Sequence, residues 1–215
     1  MNKRNIISLI SALLLTFTGG FTDAYTFIYR GGVFATMQTG NLIKFFINLT
    51  NGEFKLAFLL PIIFFIIGCV IAGLLRKCKY QAHIALISLI VIYAVAGLCP
   101  KTEAWDIVSV SLLSIVGAMQ FEAFRRCLGY RYTSTMCTNN IRLLSVNIAE
   151  GKGKVIAIYA SIIATFIIGI VIGVLVGKGM EMYSIIPLTG IYLAILLMFI
   201  ISKEIPSNEI IKNAE

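Results

Sequence analysis

This sequence predicts an all-α, polytopic membrane protein: about six transmembrane helices in an inverted repeat of three plus three, each repeat carrying one polar re-entrant or interfacial helix. Three observations predict it, namely an apolar and charge-poor composition, six apolar runs of spanning length, and an internal duplication. The 215 residues are 59% hydrophobic and 13% charged, whereas ordinary soluble domains carry about 25% charged residues. With a mean hydropathy of +0.92, a soluble fold cannot hide so much apolar surface, and the lipid bilayer is the expected partner. The net charge of +8 does not argue for nucleic acid. Its basic residues sit in short clusters between apolar runs, such as Arg76, Lys77 and Lys79, or Arg125, Arg126 and Arg131, as in chains that use positive loops to fix membrane orientation.

A spanning helix needs about 20 mainly apolar residues. Six stretches approach this: Ile6 to Ile28, Leu56 to Leu75, Ala82 to Cys99, Ile107 to Phe124, Val155 to Val176, and Ile185 to Ile201. Helix is expected because an isolated strand leaves backbone groups unpaired in lipid, and these runs lack strand alternation. Pro61 and Pro187 are read in or near first turns, where a missing donor is least harmful, and Pro100 and Pro206 follow helix ends. Lys3 and Arg4 before an apolar run imitate a signal peptide, but no A-x-A pattern follows and the run continues past Gly20. A retained first helix is the expectation.

Two stretches fit neither span nor loop: Val33 to Asn51 and Thr133 to Glu150, each polar at its start and apolar at its end. If neither crosses, Lys3, Arg4, Arg76, Lys77, Lys79, Arg125, Arg126, Arg131, Arg142, Lys152, Lys154, Lys203 and Lys212 lie with both termini on the cytoplasmic side. Only Arg30, Lys44, Lys55, Lys101 and Lys178 then lie outside. If both cross, the bias vanishes, so the positive-inside rule favours six spans plus two re-entrant or interfacial segments.

The duplication appears at a constant offset of 99 (135 − 36), which pairs Thr36 with Thr135, Met37 with Met136, Thr39 with Thr138, Asn41 with Asn140, Asn48 with Asn147, and Gly52 with Gly151. With two more residues inserted, Phe65 to Lys77 matches Phe166 to Lys178. The first repeat takes residues 1–103, the second 104–205, and a polar C-terminal tail 206–215. Three spans per repeat is an odd number, so the second copy is expected upside down relative to the first. Inverted repeats of this kind place a binding site near the midplane, where interrupted helices present their N-terminal ends.

Candidate solute-binding residues are accordingly Thr36, Gln38, Thr39 and Asn41 in one polar segment and Thr135, Thr138 and Asn140 in the other, with Asp23 and Gln120 nearby. Asp23 lies well inside the first apolar run, where ionisable groups commonly mark solute or proton routes; the plainer reading is a helix-end carboxylate paired with Arg30. The offset takes Asp23 to Glu122, which makes an ion-coupling pair conceivable, but an ion pair with Arg125 or Arg126 one turn away explains Glu122 more simply. Lys44 and Arg142, one residue out of register, either attract an anion or reach for water and headgroups. Gly169, Gly173 and Gly177 recur every four residues. Helix packing is their main reading, and a homo-oligomer contact would use the same face.

The five cysteines show no zinc-ligand spacing, and the single His83 has no partner histidine. No cofactor, metal or enzymatic triad is therefore expected. Four segments, GGFTDAYTF from Gly19, GGVFATMQTGNL from Gly31, GAMQFEAFRR from Gly117 and TSTMCTNNIR from Thr133, resemble the YoaK-type family of bacterial multi-pass membrane proteins, a domain of unknown function. The second copy departs from that pattern at Phe121, where Asn is usual, and in reading Asn139, Asn140 and Ile141 where Gly-Asn-Leu is usual, which loses the glycine. The resemblance implies a bacterial inner membrane and brings no substrate. The function expected is a transporter or permease for a small polar or anionic solute, with a channel or a non-transporting membrane scaffold as the alternatives.

Overall fold

The computed structural model describes residues 2–203, so the tail at 206–215 lies outside the described residues. The described residues form eight α-helices: α1 Lys3–Tyr29, α2 Gln38–Thr50, α3 Leu56–Leu74, α4 Gln81–Leu98, α5 Glu103–Ala123, α6 Thr138–Ala149, α7 Gly153–Met180 and α8 Leu188–Ser202. Local chemistry sets several boundaries. Asn2 caps α1 by accepting from the Asn5 N–H at 2.9 Å, and Thr102 caps α5, whose first turn holds Glu103 and Asp106. Acidic residues there oppose the partial positive charge of the helix start. Both α2 and α6 stop at a left-handed glycine, Gly52 at φ 81° and Gly151 at φ 66°, a conformation that glycine adopts without steric cost.

Among the described residues, five helices are long and apolar enough to cross a membrane: α1, α4, α5, α3 with its 3-10 extension to Lys77, and α7 with the turn to Ile185. The sixth expected span, α8, has 15 residues, or about 22 Å at 1.5 Å per residue. That falls short of the roughly 30 Å hydrocarbon core. Its N-cap is Pro187, and the 3-10 turn Glu181–Ile185 takes up residues that the apolar pattern assigned to the span. The all-α expectation also misses a small hairpin between α5 and α6, β1 Arg126–Cys127 and β2 Tyr130–Arg131. Its turn residues Leu128 and Gly129 both have positive φ, the geometry that matches strand twist in a two-residue loop. Burial pushes the Cys127 thiol in this hairpin up to about 12, as befits a packing residue.

Contacts fix the helix directions. Gly169, Gly173 and Gly177 of α7 rest on Phe17, Phe21 and Tyr29 of α1, so these two helices run parallel. Likewise Gly68 of α3 rests on Ile115 of α5 while Arg76, just beyond α3, reaches Glu122 at 3.0 Å, making α3 and α5 parallel. By contrast α1 and α5 are antiparallel: Arg30 at the end of α1 meets Asp106 at the start of α5, and Gln120 meets Leu15. Arg30 also binds carbonyls at the end of α4, and Lys3 reaches Ser202 at the end of α8. Helices α1, α4 and α7 therefore run one way, and α3, α5 and α8 the other.

The small-residue seam on α7 is filled from within the chain. A Cβ at Gly169 would meet the Phe17 carbonyl oxygen, and one at Gly177 would meet the Tyr29 ring, so glycine lets the backbones touch. This is the packing reading of Gly169, Gly173 and Gly177. Between the remaining helices sit the fully buried Leu86, Leu89, Leu113 and Tyr192.

Candidate functional site

After α1 the chain turns at Gly31 and Gly32, both at positive φ, and residues 33–37 double back along the helix they have just left. The Ala35 N–H donates to the Thr26 hydroxyl at 3.2 Å and the Thr36 N–H to Asp23 Oδ1 at 2.9 Å. From this returned position α2 starts, and it ends where α3 begins. With 13 residues it is about 20 Å long, too short to cross the bilayer. The second copy repeats the manoeuvre with the 12-residue α6, which ends where α7 begins. Both polar stretches are thus short helices that start inside the bundle and exit on the side from which their chain entered.

Each doubled-back loop is closed by the same clasp. Asn41 Nδ2 donates to the Phe34 carbonyl at 2.7 Å while its Oδ1 accepts from the Phe34 N–H at 2.9 Å. Asn140 does the same to Thr133 at 2.7 and 3.0 Å. Gln38 reinforces the first loop by donating to the Ala35 carbonyl at 2.7 Å and accepting from Asn41. These amides shape the loops. They do not cap the helix starts, since the N-cap positions are Met37 and Cys137, neither of which makes a side-chain cap bond.

The two loops touch at the residues the duplication equates. Thr36 Oγ1 lies 2.8 Å from the Thr135 carbonyl oxygen and 2.5 Å from Asp23 Oδ2. Tyr93 and Tyr192, which share the offset (192 − 93 = 99), also touch, their rings edge to face at 4.8 Å. Their hydroxyls tie the corners to the bundle, Tyr93 to Thr22 at 2.8 Å and Tyr192 to Gln120 Oε1 at 3.0 Å. Gln120 then donates to the Leu15 carbonyl and to Ser134 Oγ. Gly19 allows the second loop to lie directly on α1, since a Cβ there would strike the Ser134 carbonyl oxygen. The centre is therefore buried, polar and almost fully hydrogen-bonded. Its exception is Thr135, only 1% exposed, whose Oγ1 has no partner; an orphaned buried hydroxyl costs about 1–3 kcal/mol.

Of the residues singled out from sequence, the structure brings Asp23, Thr36, Gln38, Asn41, Gln120, Thr135 and Asn140 into or around this centre. Thr39 and Thr138 are exposed on the first turns of α2 and α6 and stand apart from it. Helical geometry explains this, because Thr39 and Thr138 stand two residues before the buried Asn41 and Asn140, about 200° round a helix of 3.6 residues per turn and so on its opposite face. Glu122 is also elsewhere: in the last turn of α5 it faces Arg76 at 3.0 Å and Arg125 at 3.8 Å, so it shares no partner with Asp23. Nor does Asp23 pair with Arg30, whose guanidinium binds Asp106 at 2.9 Å. Lys44 donates to the Gly32 carbonyl and lies over the Phe27 ring at 4.1 Å, whereas Arg142 is exposed beside Asn139.

Sequence reasoning missed the tyrosine pair and the Arg30 to Asp106 lock. The tyrosines lie 99 positions apart, but the offset is 101 from Phe65 to Lys77, so the alignment equates them only if two residues are removed again after Lys77. Among the described residues, no group of three His, Cys, Asp or Glu side chains comes together to hold a metal. No match was found among curated proteins or among solved structures. A family model does match, over residues 11–198, and the chain belongs to the DUF1275 family, described as a protein family of unknown function.

Proposed function

We propose that this chain is a carrier for a small polar or anionic solute, built as an inverted repeat whose two polar corners form the solute site. Both halves of such a repeat expose the same helix starts to one central point from opposite sides, which lets a single site open alternately to either compartment. In support, α1 and α5 run antiparallel while occupying equivalent places in the duplication. Counting α8 as the sixth crossing puts both termini on one side, the cytoplasmic side by the distribution of basic residues. A bacterial inner membrane is the setting that the family resemblance suggests.

The observation that carries the reading is Thr135 Oγ1, buried, unpartnered and three residues before the start of α6. A helix start offers unpaired N–H groups and a partial positive charge, and the orphan hydroxyl adds a donor or acceptor beside it. In the first copy, Asp23 occupies the equivalent ground next to Thr36. In the second, Glu122 is drawn off by Arg76, which leaves the corner free of a resident carboxylate. The solute's own oxygen would take that place.

Purified protein in liposomes, assayed by counterflow with a panel of small neutral and anionic solutes, tests this. Saturable exchange above empty liposomes is expected. The isosteric Thr135→Val change, which removes one hydrogen bond of about 1.4 kcal/mol, is expected to weaken apparent affinity about tenfold. Flux that rises without saturation would indicate a pore, and no flux for any solute would overturn the carrier reading.

A further inference from the structure

We propose that Asp23 holds a proton in this conformation, and that this proton latches the two polar corners together. The inference comes from counting hydrogens. Thr36 Oγ1 has one hydrogen but stands within bonding distance of two acceptors, Asp23 Oδ2 at 2.5 Å and the Thr135 carbonyl oxygen at 2.8 Å. With Asp23 ionised, the hydroxyl satisfies one of them and turns a lone pair toward the other. With Asp23 protonated, every contact closes: Oδ2–H donates to Thr36 Oγ1, the Thr36 O–H donates to the Thr135 carbonyl, and the Thr36 N–H donates to Oδ1 at 2.9 Å.

Charge leads to the same protonation state. Asp23 is 2% exposed, and burial without a cation disfavours its charged form, against which stand the Thr36 hydroxyl and N–H and the nearby backbone N–H groups of Ala35 and Met37. No ion pair among the described residues includes it. The basic group closest in sequence, Arg30 on the same helix, is taken by Asp106 of α5, by the Tyr25 hydroxyl and by three carbonyls at the end of α4 and beyond. From α4 the titratable group near Asp23 is Tyr93, bonded to Thr22, and from α8 it is Tyr192, bonded to Gln120. The flanking stretch of α7 offers glycine and apolar side chains. Neither tyrosine can supply positive charge.

Proton release rearranges the junction in a defined way. The proton passes from Oδ2 to a water molecule, which becomes hydronium, the Thr36 hydroxyl hydrogen swings from the Thr135 carbonyl to the carboxylate, and the carbonyl loses its donor. The one hydrogen bond directly joining residues 36 and 135 is then gone, and the corners are free to part. The latch itself needs no solute; its role in transport rests on the carrier reading given above.

The test uses full-length protein in liposomes and reads protonation and opening separately. Infrared difference spectra, wild type minus the Asp23→Asn variant, are expected to show a carboxylic acid C=O band at low pH that converts to carboxylate as pH rises. In a background with the native cysteines replaced by alanine, spin labels go on Leu42→Cys and Ile141→Cys, equivalent exposed sites on α2 and α6. One distance is expected at low pH, and a second, longer one is expected to grow by about tenfold in population ratio per pH unit, the slope of a single titrating proton. Asp23→Asn keeps a donor on Thr36 and is expected to hold the short distance at every pH; Thr36→Val, lacking the relay hydroxyl, is expected to show the long one throughout. A carboxylate band that persists at low pH, or distances in wild type that ignore pH, would overturn the latch. Proton-linked opening without solute flux would sink the carrier and leave the latch standing, while solute flux with an ionised Asp23 would do the reverse.

Discussion

Arg30 shows how much a single side chain can hold together in this protein. It is fully buried, and its guanidinium joins the end of α1 to the end of α4 and the start of α5 through Asp106, Ala96, Cys99 and Pro100. Removing one partner of a buried ion pair leaves the other charge uncompensated, at a cost of about 3–5 kcal/mol. Arg30→Met is therefore expected to lower the thermal unfolding temperature in detergent sharply; an unchanged midpoint would show that the pair does not lock these ends. From sequence, Arg30 looked like a loop cation or a partner for Asp23. Its true partner is 76 positions away, and only the packing of α1 against α5 creates the pair. Asp23, by contrast, was legible as a costly charged residue inside an apolar run. The exposure of Thr39 and Thr138 was not, because composition gives residue types while helical phase decides which of them face inward.

At the scale of elements, the apolar runs located the helices to within a few residues, since hydrocarbon tolerates little else. The short α8 and the 3-10 turn before it were harder to read, because hydropathy continues through Tyr183 to Ile186 while the backbone changes direction. The glycine spacing on α7 was readable as a contact face, and its partner, α1, came only with the coordinates. Gly169→Leu forces a side chain into the Phe17 backbone, an overpacking expected to cost about 2 kcal/mol or more. Gly179→Leu, in open space near the end of the same helix, is the matched control. Thermal stability of the two in detergent should differ clearly. Equal stability would mean that α1 and α7 are not in close backbone contact.

The molecule as a whole is ordered by its duplication. Residues separated by 99 positions perform the same task in both halves: Asn41 and Asn140 clasp their loops, and Asn48 and Asn147 bond back to Lys44 and Leu143 one turn earlier. Where the halves diverge, at Asp23 and Glu122 and at Lys44 and Arg142, the alignment implied a pairing of function that the contacts do not give. The proton latch and the solute corner both arise from that divergence. Above both stands the orientation of the halves in lipid, which side-specific labelling reads most directly. With the native cysteines replaced, Asn48→Cys and Asn147→Cys, each in the last turn of its short helix, are labelled in sealed vesicles by an impermeant thiol reagent added to one face and then to the other. Labelling from opposite faces is expected; labelling of both from the same face would contradict the inverted arrangement and the carrier mechanism built on it.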